Sequence, residues 1–353
     1  MTIPESHASD PRGLLLWEAR LQALPSWLAG LSQGVRPSLA PLGNRPVLTT
    51  GLGSSEAHAR FFQRLCLNQQ VSCSFFTTAD AFRGEIPVSA DATLVVFSQG
   101  LSSIFFFSLQ KTEGFERVLL FTAATVENLL EAGKPERAEF LKQLIDRGLE
   151  IWPLAPAEEF TLLIRCLGPM AGYWEVLRAA GHLFPEASRE LPLPVDLEQE
   201  LQRALEEGQT AGQQLTDIGA LVVFGESIHY SQNLSFKWIE GTFKHPPLVI
   251  DPLTLAHGPF QMLCTTSRDV LLFRTDAAAD QKLVQPVNQL CESWEGDLVE
   301  VVSPWPEPLA ILYFEQFLNG VVWESFKGAS QSQIDWPGKG LDGPVYDINQ
   351  PFQ

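Results

Sequence analysis

One order of elements occurs twice in this sequence: an apolar strand runs into a glycine and is followed by a segment of helical character. Residues 48–53 show it in the first half, and residues 221–225 show it in the second. After each occurrence, short apolar runs alternate with longer amphipathic ones. Such alternation is typical of a parallel sheet that is covered by helices on both faces. The sequence therefore predicts two similar α/β domains.

The predicted elements define the domain boundaries. Strands are predicted at 45–50, 71–76, 93–97, 118–121 and 149–152, and again at 221–224, 247–250, 270–273 and 298–302. Helices are predicted at 14–31, 56–67, 136–147, 231–241 and 308–323. We predict a helical segment at 1–44, a first domain at 45–183, a linker helix at 184–214, and a second domain with a C-terminal tail at 215–353.

Composition and charge exclude several classes of partner. The 353 residues suffice for two domains, and a hydrophobic share of 45% with 19% charged residues suits packed α/β domains. The formal net charge of −18 opposes nucleic acid and anionic membrane surfaces. We therefore expect no nucleic-acid partner and no membrane association.

The cysteines and the N-terminus predict a cytoplasmic protein. The five cysteines are scattered and contain no CxxC pair, which fits reduced thiols. The opening MTIPESHASD lacks the basic and apolar regions of a secretory signal. No His, Cys and Asp residues have the spacing of metal ligands, so we expect no metal and no cofactor.

Polar loops that contain glycine follow two of the predicted strands. Gly51-Leu52-Gly53-Ser54-Ser55 follows the first strand, and Ser98-Gln99-Gly100-Leu101-Ser102-Ser103 follows a central one. Doubly wound sheets bind ligands at the carboxyl ends of their strands. Glycines let a backbone approach an anion, and serine hydroxyls donate hydrogen bonds to it. The pattern predicts a phosphate site, although either loop taken singly also fits an ordinary helix cap.

A dinucleotide site is the weaker interpretation of these loops. The Gly-x-Gly pair lacks the third glycine and the acidic residue of the dinucleotide fingerprint. A nicotinamide-dependent oxidoreductase would therefore rest on sheet topology alone, which is weak support for a function.

Both loops resemble those of the sugar isomerase (SIS) family, whose double-domain members include the isomerase half of glucosamine-6-phosphate synthase and related phosphosugar isomerases. The first loop is similar to the family's Gly-x-Gly-Thr/Ser-Ser, and the second is similar to Ile-Ser-Gln-Ser-Gly-Glu-Thr. The chain departs at Gly100 and Ser102, where the family has Ser and Glu. The resemblance implies two tandem flavodoxin-like α/β/α sandwich domains with mainly parallel sheets. It also implies phosphate contacts from Gly53, Ser54, Ser55, Ser98, Gln99 and Ser103.

The second half carries candidate catalytic groups. Lys237-Trp238-Ile239-Glu240 followed by His257-Gly258-Pro259 resembles a Lys-x-x-Glu and a His-Gly-Pro of the double-domain isomerases. The resemblance implies that Glu240 is the base that moves a proton between sugar carbons, as a buried carboxylate can. It also implies that Lys237 stabilises an enediolate, and that His257 opens the sugar ring from a neighbouring subunit. Taken alone, Lys237 and Glu240 also fit an ordinary solvated helix pair.

Together these features predict a cytoplasmic homodimer that isomerises a phosphorylated sugar, or isomerises and deaminates an amino-sugar phosphate, through an enediol. About 45 residues precede the first strand, too few for a glutaminase domain, so we expect the chain to act without one. The alternative is a non-catalytic sensor or regulatory protein that binds sugar phosphates. It is favoured by Gly100, by Ser102 and by Asp342-Gly343-Pro344, which stands where the family's tail continues to a lysine.

Overall fold

The structure is a computed structural model, and it contains five strands in its first sheet. They are β1 (Val47–Thr50), β2 (Cys73–Phe75), β3 (Thr93–Phe97), β4 (Arg117–Thr122) and β5 (Glu150–Pro153), in the spatial order β2-β1-β3-β4-β5. Every pairing between neighbouring strands is parallel. This order is that of a flavodoxin-like doubly wound sheet. The parallel sheet predicted for the first half is therefore confirmed.

Within the part of the chain that the structure describes, the second sheet repeats this order with one strand fewer. It contains β6 (Ile218–Val223), β7 (Leu248–Ile250), β8 (Asp269–Arg274) and β9 (Leu298–Val302), in the order β7-β6-β8-β9. These pairings are parallel as well. The strand β6 thus takes the place of β1, and β8 takes the place of β3. The predicted recurrence of one plan is confirmed.

The helices connect the strands and cover the sheets. In chain order they are α1 (Pro11–Leu31), α2 (Ser54–Asn68), α3 (Thr78–Arg83), α4 (Phe106–Leu109), α5 (Val126–Glu131), α6 (Pro135–Asp146), α7 (Leu167–Leu183), α8 (Leu197–Gly212), α9 (Gln232–Thr242), α10 (Pro252–Leu255), α11 (Pro259–Thr266), α12 (Ala278–Cys291), α13 (Ala310–Phe326) and α14 (Gly343–Tyr346). The sequence did not predict α7, which is buried along nearly its whole length. A helix buried on all sides lacks the amphipathic stripe that marks a surface helix.

Residues 10–31, 33–102, 104, 106–109, 112–156, 159–185, 194–215, 217–266, 268–292, 295–329, 331–341 and 343–346 are described. They form two compact units, each assembled from separate segments. The β1–β5 unit holds the described residues within 33–160, 167–192 and 338–346, and the β6–β9 unit holds those within 10–31, 161–166 and 194–337. In these ranges no helix is long and apolar enough to cross a bilayer.

Apolar side chains cover both faces of each sheet. On one face of the first sheet, Leu94 and Leu120 belong to a buried core cluster. On the other face, the rings of Phe97 and Phe121 stack with their centroids 4.4 Å apart. The second sheet has a corresponding cluster on one face, while the ring of Phe273 packs against that of Phe314 on α13, with centroids 5.1 Å apart. Because both faces are covered, only the ends of the strands remain for ligands.

The helix α1 packs in the β6–β9 unit, where it contacts α8 and α13. Its residue Trp17 is fully buried. The Trp17 ring lies edge-on to Trp323, with centroids 5.3 Å apart, and 5.2 Å from the ring of Phe326. Aromatic packing of this kind adds about 0.5–1.5 kcal/mol per pair to the stabilisation from buried area.

Candidate functional site

The strand order of the first sheet changes direction between β1 and β3. The chain passes from β1 to β2 on one side and then to β3 on the other. Loops that leave two such strands diverge and leave a crevice at their carboxyl ends, which is where doubly wound sheets bind ligands. Residues 51–53 connect β1 to α2, and residues 98–102 follow β3. The two loops predicted from the sequence therefore leave neighbouring strands at the same edge of the sheet.

The first of these loops depends on its glycines. A Cβ at Gly51 would lie 2.0 Å from the carbonyl oxygen of Ser55, so only glycine lets the loop close on the start of the helix. Gly53 precedes α2 with φ +62°, in the left-handed region that favours glycine. Ser54 is half-buried and Ser55 is buried. The loop thus brings serine side chains and the first amides of α2 together, a combination that suits an anion.

The second loop is held by contacts within the β1–β5 unit. Ser98 and Gln99 are both buried. The side-chain amide of Gln99 donates to the carbonyl oxygen of Pro156 at 3.1 Å, and a Cβ at Gly168 would lie only 2.5 Å from its Oε1. The hydroxyl of Thr122, at the end of β4, donates to the main-chain oxygen of Gln99 at 3.2 Å. The side chain of Gln99 is therefore fixed in place. Ser103, the last predicted phosphate contact of this loop, lies outside the described residues.

A neighbouring side chain restricts the space at Gly100. A Cβ at Gly100 would lie 2.8 Å from Cζ of Phe160, closer than side chains normally approach. Phe160 is 40% exposed, so its ring forms part of the surface beside the loop. A serine at position 100 would require this ring to move.

Leu101 is an unusual residue that the sequence analysis did not single out. Its φ is +48°, and its side chain is fully buried among the core residues of the first sheet. A left-handed conformation costs a non-glycine residue roughly 1–2 kcal/mol. The sequence did contain a signal, because the family loop has glycine at this position. Burial of the leucine side chain offsets the backbone strain here.

In the β6–β9 unit, Lys237 makes buried contacts. Its Nζ lies 2.9 Å from Oε2 of Glu315 on α13, and it donates to Oδ1 of Asn319 at 2.7 Å and to the carbonyl oxygen of Arg165 at 3.2 Å. The side chains of Lys237 and Glu315 are 2% and 0% exposed. The interpretation of Lys237 as part of a solvated helix pair is therefore wrong.

The polar residues of α13 complete this network. Glu315 Oε1 accepts a hydrogen bond from Asn233 of α9 at 2.9 Å, and Gln316 Oε1 accepts one from Asn319 at 2.9 Å. A helix was predicted at 308–323 without a role for its polar residues. The signal was present, since Glu315, Gln316 and Asn319 interrupt a run of large apolar side chains. Buried polar groups are costly unless they are paired; here Oε2 of Glu315 is paired with the Lys237 ammonium, whereas Nε2 of Gln316 makes no hydrogen bond within the described residues.

Glu240 lies on the same helix as Lys237 and is partly buried. Burial raises the pKa of the Glu240 carboxyl above its usual range. The positive charges of Arg165 and Lys237 lower this pKa, and the negative charge of Glu315 raises it. A carboxylate with a raised pKa is a stronger base than an exposed one, which is a property expected of a general base.

His257 is exposed and lies in the turn between α10 and α11. Its N–H donates to the carbonyl oxygen of Thr254 at 2.9 Å, and Gly258 follows with φ +109°. The stretch before it contains the short helix α10, because Asp251 caps this helix by accepting from the amides of Leu253 and Thr254. The histidine ring is thus presented to solvent.

No metal site is evident in the described part of the chain. There, no group of three or more His, Cys, Asp and Glu side chains is arranged to hold a metal ion.

Comparison with solved structures reveals the fold. The chain is 12% identical to the C-terminal domain of glucosamine-fructose-6-phosphate aminotransferase from Francisella tularensis, with a TM-score of 0.64 over 88% of this chain and 94% of that one. It is 12% identical to tagatose-6-phosphate ketose/aldose isomerase from Escherichia coli, with a TM-score of 0.61 over 92% and 91% of the two chains. The chain has the fold of the double-domain phosphosugar isomerases.

The same double-domain isomerase fold relates this chain to a glucosamine-6-phosphate deaminase from Thermotoga maritima. The identity is 13%, with a TM-score of 0.56 over 91% of this chain and 95% of that one. No protein-family model matches the sequence, and no curated protein matches it significantly. The prediction of two tandem flavodoxin-like SIS domains is confirmed by the fold, which the sequence identity alone would not reveal.

Proposed function

We propose that the chain binds a phosphorylated sugar and isomerises it, or isomerises and deaminates an amino-sugar phosphate. The observation that carries this proposal is the pair of glycine- and serine-containing loops at the carboxyl ends of β1 and β3. This pair occurs in a chain whose fold matches, over about nine tenths of its length, proteins named for tagatose 6-phosphate and glucosamine 6-phosphate.

The phosphate is bound by neutral donors in this proposal. Gly53 and Ser54 supply amides, and Ser54 and Ser55 supply hydroxyls, at the start of α2, a helix of 15 residues whose N-terminus favours an anion. In the second loop, the donors are the hydroxyls of Ser98 and Ser103 and the N–H of the Gln99 side chain that Pro156 does not accept. Local hydrogen bonding of this kind is needed because the chain's net charge of −18 repels an anion at long range.

The proton transfer is assigned to Glu240. Its carboxylate takes a proton from the carbon next to the sugar carbonyl, the hydroxyl proton on that carbon passes to the former carbonyl oxygen through the enediol, and Glu240 returns its proton to the former carbonyl carbon. The proton lost from one carbon is gained by the other, so the isomerisation needs no oxidant or reductant. The raised pKa of Glu240 strengthens it as a base.

The two other candidate catalytic groups have assisting roles. His257 opens the sugar ring from a neighbouring subunit of a cytoplasmic homodimer, a role that its solvent exposure supports. Lys237 stabilises the negative charge of the enediolate. Because Glu315 already neutralises the Lys237 ammonium, this help is weaker than that of an unpaired lysine.

A second candidate function has specific support. The ring of Phe160 covers Gly100, and Lys237 is paired with Glu315. Both features fit a protein that binds a sugar phosphate as a sensor and has no turnover.

Replacing Glu240 by Gln distinguishes the two functions. The proposed enzyme should lose at least about 100-fold in turnover, since general-base catalysis contributes ~10²–10⁴-fold. It should still be stabilised by the same sugar phosphate. The exposed Glu206 on α8 is the matched control, and Glu206→Gln should retain full activity. A wild-type chain that binds but does not turn over would be a sensor, and a Glu240→Gln variant with normal turnover would exclude Glu240 as the base.

A further inference from the structure

The second sheet has its own change of direction, between β6 and β8. The loop that leaves β6, residues 225–230, lies where residues 51–55 lie after β1. It contains a glycine, a serine and a single 3₁₀ turn over Gly225–His229. By position, it is the second sheet's counterpart of the proposed phosphate loop.

The carboxylate of Glu307 lies against this loop. Glu307 comes from the segment that follows β9 and accepts three hydrogen bonds. Its Oε1 accepts from the N–H of Ser227 at 3.0 Å, and its Oε2 accepts from the hydroxyls of Ser227 and Tyr230, both at 2.8 Å. Both donor residues are fully buried, whereas Glu307 is partly exposed. One amide and two hydroxyls therefore converge on one anionic group.

Gly225 allows the carboxylate to come this close. A Cβ at Gly225 would lie 2.9 Å from Oε1 of Glu307, and the residue has φ +65°, so glycine is favoured for two separate reasons. Gly225 is exposed to solvent, which leaves the position accessible from outside. Burial raises the pKa of the Glu307 carboxyl, while the hydrogen bonds from Tyr230 and Ser227 lower it. These hydrogen bonds oppose the effect of burial, which is the larger one and leaves the pKa of Glu307 raised, with a further rise from the charge of Glu226.

We propose that residues 225–230 form a small-anion site whose built-in ligand is the Glu307 carboxylate. The site takes a monocarboxylate or an anion of similar size when Glu307 is removed. In the intact chain the side chain excludes such ligands, so added phosphate binds only elsewhere. This inference concerns the β6–β9 unit alone and stands whether or not the chain turns over a sugar.

Acetate tests the site directly, because Glu307→Ala removes a CH₂–COO⁻ group that acetate can replace. We expect the variant to have a lower unfolding midpoint than the wild type in sodium chloride. Sodium acetate at equal ionic strength should raise that midpoint by about 2 °C or more, with saturation, since a ligand that binds only the folded state stabilises it. The wild type and the isosteric Glu307→Gln should show no acetate-specific rise, because their side chains fill the site.

A second substitution tests whether acetate binds at residues 225–230. Adding Tyr230→Phe to Glu307→Ala removes one hydroxyl donor and should weaken acetate binding about tenfold, in line with the strength of a hydrogen bond to a charged group. The proposal is overturned if acetate stabilises Glu307→Ala no more than chloride does, or if it stabilises the wild type equally.

If Glu307→Ala does not fold in chloride, refolding provides the test. The variant is diluted from urea into acetate or chloride at equal ionic strength. The proposal then requires folded protein in acetate only, and failure in both salts contradicts it.

Discussion

The ammonium nitrogen of Lys237 lies 2.9 Å from Oε2 of Glu315, and both side chains are buried within the β6–β9 unit. Removing one partner of a buried ion pair leaves the other charge uncompensated, which costs about 3–5 kcal/mol. We therefore expect Lys237→Met and Glu315→Leu each to lower the free energy of unfolding by roughly this amount.

The double variant is the control for this prediction. With both charges replaced by apolar groups, the loss should be well below the sum of the two single losses, and urea unfolding measures all three. Additive losses would mean that the two charges do not stabilise each other.

Ionisation of Glu240 should lower the stability of the fold and raise the activity. Its pKa is raised in the folded state, so its contribution to stability is full below the unfolded value near 4.5 and is lost as the pH rises through the folded pKa. The wild type should thus lose stability relative to Glu240→Gln over that rise. A base works ionised, so kcat/KM should fall as the pH decreases through the same pKa. Equal pH profiles of unfolding for the two proteins would contradict the raised pKa.

At position 101, glycine should be a more stable replacement than alanine, which is the reverse of the usual order. Glycine adopts φ +48° freely and alanine does not, so Leu101→Gly should be more stable than Leu101→Ala by about 1 kcal/mol. Both should be less stable than the wild type, because losing a buried leucine costs about 2–5 kcal/mol. Thermal or urea unfolding of the three proteins decides the order, and an alanine variant more stable than the glycine variant would refute the strain.

Mixing two inactive variants tests the proposed homodimer. If Glu240 and His257 of one active site come from different subunits, Glu240→Gln and His257→Ala are each inactive, but their mixed dimer contains one intact site. Random exchange should restore about one quarter of wild-type activity, since half of the dimers are mixed and each has one good site of two. Co-purification of one untagged variant with the other carrying an affinity tag checks that the dimers exchange. No recovery from exchanged dimers would place both groups in one subunit.

The sequence predicted the strands well, because buried parallel strands are continuous apolar runs. The strand β3 occurs at Thr93–Phe97, as predicted. The helix α7 was not predicted, since it is buried on every side and has no polar face. Both outcomes reflect the same physical rule, that periodicity reports the contrast between a buried and an exposed face.

The site was harder to predict than the fold, because its contacts join residues far apart in the chain. The sequence placed Lys237 and Glu240 on one helix, which is confirmed, but it gave no indication that Glu315 binds Lys237. Likewise, the glycine at position 100 was noted as a departure, but the sequence did not indicate that the ring of Phe160 lies beside it. Contacts of this kind depend on where α13 and the connection between β5 and α7 lie in the folded chain.

The most direct test of the central claim is thermal unfolding of the purified protein with hexose, pentose and amino-sugar phosphates, and with inorganic phosphate as the control. A sugar phosphate at 100 times its Kd should stabilise the fold by about 2.7 kcal/mol. We predict that one of them raises the midpoint well beyond phosphate, that Ser54→Ala combined with Ser98→Ala reduces this rise, and that the exposed Ser26→Ala preserves it. If no sugar phosphate shifts the midpoint, or if the double variant responds as the wild type does, the crevice between β1 and β3 is not a sugar-phosphate site.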